Sequence, residues 1–83
     1  MRGAVEEVNE LRAVCFVRCL DGTYAYLRLA REELPRVGDV LSWPDRLAPR
    51  GATVVNESNG SRTLHAASAI PRLPRDMAQG LIR

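Results

Sequence analysis

The chain has 83 residues, of which 46% are hydrophobic and 27% are charged, and its formal net charge is +2. This composition is typical of one small folded domain and excludes a disordered chain. No apolar run approaches the ~18 residues of a membrane-spanning helix, so we expect no membrane association.

The N-terminal residues 1–11 are predicted to form a short amphipathic helix or an ordered arm. Val5, Val8 and Leu11 recur at three-residue spacing with glutamates between them, and this spacing is typical of one helix face. The segment lacks the apolar core of a signal peptide, so we expect a cytoplasmic location.

A first hairpin is predicted around the Asp-Gly pair at 21–22. This dipeptide between two apolar runs favours a two-residue type I′ turn. Such a turn pairs Phe16 with Leu27, because each residue before the loop then lies opposite the residue that is equally far after it. The two strands are the start of a β domain over residues 12–70.

Both faces of this predicted hairpin carry apolar residues. The predicted register places Val17 on one face with Tyr24 and Tyr26, while the opposite face is also largely apolar. A hairpin that lies over a core normally has one polar face, so we expect part of the second face to be covered. The candidates for this cover are the N-terminal segment, the C-terminal tail, a second copy and a different protein.

A strand over Val40–Trp43 and a second hairpin complete the predicted β domain. The Asn-Gly pair at 59–60 is another type I′ signal and predicts that Val55 pairs with Leu64. Several short strands joined by tight turns favour a five-stranded antiparallel barrel of the SH3-like or OB-like kind, since closure removes exposed edges. The alternative is a half-open sheet completed by a second chain.

Residues 71–83 are predicted to form a Pro-containing tail. Each proline fixes its own φ and disfavours helix at the residue before it, so the tail begins extended. Met77, Leu81 and Ile82 are predicted to form a final helical turn that docks on the domain.

The sequence contains no recognisable catalytic or metal site. His65 is the single histidine and no HExxH, CxxC or GxSxG motif surrounds it. Cys15 and Cys19 would lie ~13 Å apart on a strand, too far for a disulfide or a shared zinc ion. We therefore expect free thiols, no cofactor, no small-molecule substrate and no enzyme activity.

The side chains best suited to bind a partner are tyrosine, tryptophan and arginine with small apolar neighbours. The predicted partner-binding residues are Val17, Tyr24, Tyr26, Arg28, Trp43, Arg46 and Arg50. They predict a non-catalytic protein-interaction or regulatory module that binds a larger protein or itself, since a chain of this size gains stability from association. The alternative is a single-stranded nucleic-acid-binding barrel, in which the tyrosines stack on bases and arginines contact phosphates.

Overall fold

A computed structural model describes residues 1–44 and 46–83. Within them the chain forms one antiparallel sheet of order β6-β5-β4-β1-β2-β3-β7. The elements are β1 (Arg2–Asn9), β2 (Val14–Cys19), β3 (Tyr24–Arg28), a turn of 3₁₀ helix (Arg31–Glu33), β4 (Val40–Ser42), β5 (Ala52–Asn56), β6 (Arg62–Ala66), β7 (Ser68–Leu73) and α1 (Arg75–Ile82). No helix of the described residues is long and apolar enough to cross a membrane.

The sheet curls into a nearly closed barrel because its two outermost strands are consecutive in the chain. Ala67 separates β6 from β7, and its N–H donates a hydrogen bond to the Arg28 carbonyl at 2.8 Å. The prediction of a mainly β, barrel-like antiparallel sheet is therefore confirmed. The predicted number of five strands is wrong, because the described chain has seven and adds a C-terminal helix.

The N-terminal segment is a strand in the middle of the sheet, not a helix or an arm. β1 pairs with β2 on one side and β4 on the other, with a β-bulge between Val5 and Glu7. The bulge adds one residue, so Val5 and Val8 both face the barrel interior opposite Val17 and Cys15. A strand with a bulge thus reproduces the three-residue spacing that predicted a helix.

The β2–β3 hairpin exists, but its predicted register is wrong by one residue. Phe16 pairs with Tyr26, because the loop has three residues between Cys19 and Thr23 instead of two. Gly22 has φ +87°, as a three-residue hairpin loop with a left-handed glycine requires. The Asp21 carboxylate accepts bonds from the Thr23 N–H at 2.9 Å and hydroxyl at 2.7 Å.

The β5–β6 hairpin shows the same kind of error. Val55 pairs with Thr63, and the loop runs over residues 57–61. Its first residue is bonded elsewhere, since the Glu57 N–H donates to the Val40 carbonyl on β4 at 2.9 Å. The β4 contact therefore lengthens the loop beyond the Asn-Gly turn.

The predicted tail contributes the last three residues of β7 and all of α1. Pro71 lies in β7 at an irregularity of the β3–β7 pairing, where Arg72 has φ +59°. A proline, which has no N–H, is tolerated in a strand at such a bulge. α1 then packs on the outer face of β2 and β3. Of the three residues predicted to dock, Ile82 is buried and Leu81 is partly buried there, whereas Met77 is 55% exposed.

Two apolar clusters result, one inside the barrel and one outside it. The barrel core contains Val17, Leu27, Leu41, Val54 and Leu64, all buried. The outer cluster lies between the sheet and α1, and consists of Val14, Phe16, Tyr24, Tyr26, Leu73, Ala78 and Ile82, with Leu81 at its edge. The second apolar face of the hairpin is thus covered by the chain's own C-terminal helix.

Candidate partner-binding surface

The predicted partner-binding residues do not form one surface. Val17 and Trp43 lie in the barrel core, and Tyr24 and Tyr26 are buried under α1. Only the three arginines Arg28, Arg46 and Arg50 are exposed. The one-residue change of register is the reason that Val17 and the tyrosines separate, because it puts them on opposite faces of the hairpin.

The half of the outer sheet face that α1 covers is called here the covered half. Ala78 and Ile82 of the helix pack in one cluster with Phe16, Tyr24 and Tyr26. The rings of Phe16 and Tyr24 meet edge to face, with centroids 5.5 Å apart and an interplanar angle of 72°. This geometry stabilises an aromatic pair beyond the apolar area that it buries.

Polar contacts fix both ends of α1 on the covered half. The Asn9 side-chain amide donates to the Ile82 carbonyl at 2.6 Å, and the Arg12 guanidinium donates to the Leu81 carbonyl at 2.8 Å. At the other end, Arg75 Nε lies 3.5 Å from Glu6 Oε2, which is within ion-pair distance but does not have hydrogen-bond geometry. A helix of eight residues is marginal alone, so these contacts and the apolar cluster hold it.

The other half of the outer face is open. Ala4 of β1 pairs with Arg18 on one side and Val40 on the other, so their three side chains form a row across the sheet. The same row continues from Arg18 to Tyr24. Arg18 is exposed and Tyr24 is buried, so the edge of the α1 cover falls between them.

A groove of about 600 Å³ lies over this open row. We call it the hairpin-tip groove, and it is lined by Arg2, Gly3, Ala4, Arg18, Cys19, Leu20, Gly22 and Val40. Leu20, at the tip of the β2–β3 hairpin, is 83% exposed. A Cβ on Gly3 would come within 2.5 Å of the Arg18 carbonyl oxygen, so the close approach of β1 and β2 beneath the tip requires glycine.

A second depression of about 240 Å³ lies on the other side of the hairpin tip. Its lining includes Trp43, Arg46, Arg72 and Cys19, and Cys19 also lines the hairpin-tip groove. Four arginines therefore surround the tip: Arg2, Arg18, Arg46 and Arg72. Among the predicted site residues, the structure brings Trp43 and Arg46 together at this depression and Tyr24 and Tyr26 together under α1.

The acidic groups near the tip are already engaged. Bonds from Thr23 lower the pKa of Asp21, so this carboxylate stays ionised and fixed in the turn. Glu57 accepts a bond from the Arg2 guanidinium at 2.9 Å. Arg18 has no ion-pair partner among the described residues, so its guanidinium is free to bind an incoming group.

A separate polar cavity of about 330 Å³ lies between the turn at 36–39 and the β5–β6 loop. Asn56 is 2% exposed there; its amide donates to Asp39 at 3.0 Å and its oxygen accepts the Ser58 N–H at 3.1 Å. Asp39 also accepts the Arg36 N–H at 3.0 Å. Because Asn56 has partners for both its donor and its acceptor, we interpret this network as one that fixes the two loops.

The chemically reactive side chains are dispersed. His65 is largely exposed, and its Nδ1 lies 3.7 Å from Glu33 Oε2. Cys15 and Cys19 are free and buried, and burial raises the pKa of the Cys15 thiol to about 12. No group of three or more His, Cys, Asp or Glu side chains in the described chain could hold a metal ion.

Sequence reasoning missed most of the hairpin-tip groove. Arg2 and Ala4 lay in a segment predicted to be a short helix or an ordered arm, and Val40 is brought beside Ala4 only by the strand order. The available signal was Leu20, a large apolar residue immediately before the Asp-Gly pair, where polar residues are usual.

Comparison with known proteins yields no relative: no family model, no curated protein and no solved structure matches this chain.

Proposed function

We propose that the protein is a non-catalytic interaction module, a small barrel of the SH3-like or OB-like kind, that binds a larger protein through the hairpin-tip groove. The observation that supports this most strongly is that Leu20, 83% exposed, lines one groove with Val40 and with Arg18, which has no ion-pair partner among the described residues. A protein partner that covers Leu20 would remove its apolar surface from water, and the arginines beside it are of a residue type enriched at protein interfaces.

The surroundings of Leu20 support the same interpretation. Ala4 and Val40 supply small apolar surface on a rigid central part of the sheet, where both neighbours of β1 are hydrogen-bonded. Groups that are held in place before binding lose little conformational entropy when a partner arrives.

The nucleic-acid alternative has weaker support. The chain has one Phe, two Tyr and one Trp, and all four are buried: Phe16, Tyr24, Tyr26 and Trp43. Single-stranded nucleic-acid binders stack bases on exposed aromatic rings. The exposed arginines could contact the phosphates of a nucleic acid, but no exposed aromatic ring is present among the described residues for its bases to stack on.

The test compares two exposed leucines at two hairpin tips. A tagged chain is cross-linked in its native cells, purified after nuclease treatment, and its partners are quantified by mass spectrometry. Leu20→Asp is compared with Leu11→Asp, the matched control, because Leu11 is 85% exposed at the β1–β2 tip. We expect one protein to be recovered equally with the wild type and Leu11→Asp, and to be lost with Leu20→Asp.

Two results would contradict the proposal. Equal recovery with both variants would place the interface elsewhere on the barrel. Recovery that disappears on nuclease treatment would favour the nucleic-acid-binding barrel instead.

A further inference from the structure

The charge of the hairpin-tip groove indicates what kind of protein segment it accepts. Its lining includes two arginines, Arg2 and Arg18, and no acidic residue. On the other side of the tip, Arg46 and Arg72 line the second depression. An incoming basic segment would be repelled here, whereas an acidic one would be attracted.

From this charge pattern we infer that the occupant is an acidic and aliphatic protein segment, with at least one carboxylate bound by Arg18 and an aliphatic side chain on Ala4, Val40 and Leu20. The inference rests on the proposed function and names its partner class. An arginine guanidinium presents planar donors that match a carboxylate in two hydrogen bonds.

Arg18 is the residue best placed for this role. It lies in the same cross-strand row as Ala4, and it is exposed without an ion-pair partner among the described residues. Arg2 is a second donor, since its bond to Glu57 joins side chains that are 58% and 33% exposed. Exposed pairs of this kind contribute little and are readily exchanged.

The aliphatic part of the occupant follows from the other lining residues. On the outer face of β1, Ala4 carries only a methyl group, so an incoming backbone can approach the sheet closely. Val40 and the exposed Leu20 then offer apolar surface that a leucine-sized side chain would bury.

The probes that test this inference are three blocked tripeptides, acetyl-Glu-Leu-Glu-amide, acetyl-Gln-Leu-Gln-amide and acetyl-Lys-Leu-Lys-amide. Each is titrated into the ¹⁵N-labelled full chain at low salt, and amide shifts are followed by NMR. We expect the Glu peptide to shift the amides of Ala4, Leu20 and Val40 and to bind about fivefold more tightly than the Gln peptide, as one exposed ion pair allows.

The charge variants are Arg18→Gln and its matched control Arg28→Gln, since both arginines are exposed on the β2–β3 hairpin. Arg18→Gln should weaken the preference for the Glu peptide, since only the second donor Arg2 remains, and Arg28→Gln should leave it unchanged. Equal binding of the Glu and Gln peptides to the wild type, or a preference that Arg18→Gln does not weaken, would overturn the inference.

Two further outcomes would name a different occupant and overturn the inference. A concentration-dependent shift of the same amides without peptide would identify a second copy. A stronger response to single-stranded oligothymidylate would identify nucleic acid.

The in-cell comparison of Leu20→Asp with Leu11→Asp separates this inference from the proposed function. If the partner is lost with Leu20→Asp but the peptides show no charge preference, the groove is the interface and only its acidic occupant is wrong. If the partner persists with Leu20→Asp, the proposed function itself fails.

Discussion

The two halves of the outer sheet face differ in which side chains they carry and in how they are covered. The covered half has Phe16, Tyr24 and Tyr26, and α1 buries all three. The open half has Ala4 and Val40, which stay partly exposed beside the hairpin-tip groove. Aromatic rings have large apolar areas that favour burial, whereas small aliphatic residues tolerate partial exposure. On this outer face, aromatic residues therefore mark the half that α1 covers, and small aliphatic residues with arginines mark the candidate interface.

The largest difference between the halves should be in stability. Phe16→Ala leaves a cavity under α1 and should lower the free energy of unfolding by ~3–5 kcal/mol. Val40→Ala, on the open half, should lower it by about 1 kcal/mol or less, because Val40 is only partly buried. Urea denaturation followed by Trp43 fluorescence measures both. Equal losses would show that the outer cluster contributes no more to the free energy of unfolding than the open half does.

The helix should be held mainly by its buried side. Ile82→Ala should lower the free energy of unfolding by ~2 kcal/mol, since Ile82 is buried in the outer cluster. Met77 is 55% exposed on the same helix, so Met77→Ala should change it by no more than ~0.5 kcal/mol. Urea midpoints compare the two variants, and a greater loss with Met77→Ala would contradict the observed packing of α1.

The barrel core beneath both halves should make stability depend on alkaline pH. Burial raises the pKa of Cys15 from 9.0 to about 12, so between these values the folded chain keeps a proton that the unfolded chain releases. The resulting stabilisation is fully present below pH 9 and is lost as the pH rises through this window. The free energy of unfolding should fall by about 1 kcal/mol at pH 10 relative to neutral pH.

Cys15→Ala is the control for this pH effect. Urea denaturation at pH 7 and pH 10 should give a smaller decrease for the variant than for the wild type. Burial also raises the pKa of Cys19, so part of the decrease should remain. An identical decrease in the two proteins would mean that burial does not raise the pKa of the Cys15 thiol.

The polar anchor of α1 should contribute less than its apolar side. Asn9→Ala removes the hydrogen bond to the Ile82 carbonyl and the bond that the Arg12 N–H donates to the Asn9 side chain. It should lower the free energy of unfolding by ~1 kcal/mol. Amide hydrogen exchange in α1 should become about fivefold faster. Asn59→Ala, in the β5–β6 loop, is the matched control and should leave exchange in α1 unchanged. If both variants accelerate it equally, the Asn9 bond is not an anchor.

The smallest stability effect should be at the proposed interface. Leu20 is exposed, so Leu20→Asp should change the free energy of unfolding by no more than ~0.5 kcal/mol. Urea denaturation would measure this, with Leu11→Asp beside it. A loss of 2 kcal/mol or more, as a buried apolar residue gives, would show that Leu20 supports the fold instead of a partner.

Turn dipeptides predicted that both hairpins exist, but they did not predict the registers. Asp-Gly fits both a two-residue loop and a three-residue loop whose glycine is left-handed, and Thr23 selects the longer one by bonding to Asp21. In the second hairpin, the bond from Glu57 to Val40 decides the loop length. Each decision depends on a contact outside the dipeptide.

The secondary structure at the chain ends was harder to predict, for a different reason. The β-bulge in β1 gives Val5 and Val8 a helical spacing on a strand. Pro71 argued against a strand at residues 71–73, because the bulge that accommodates this proline is visible only in the pairing of β7 with β3. The candidate site could not be predicted for the same reason. Ala4 and Val40 become neighbours only once β1 is known to be a strand beside β4.

The most direct test of the central claim is photo-cross-linking from two positions in native cells. A photoreactive phenylalanine derivative at position 20 reports on the hairpin-tip groove, and the same derivative at position 11 reports on the equally exposed tip of the β1–β2 hairpin. The account predicts one discrete protein adduct from position 20 and none from position 11. The same adducts from both positions, or adducts only with nucleic acid, would contradict it.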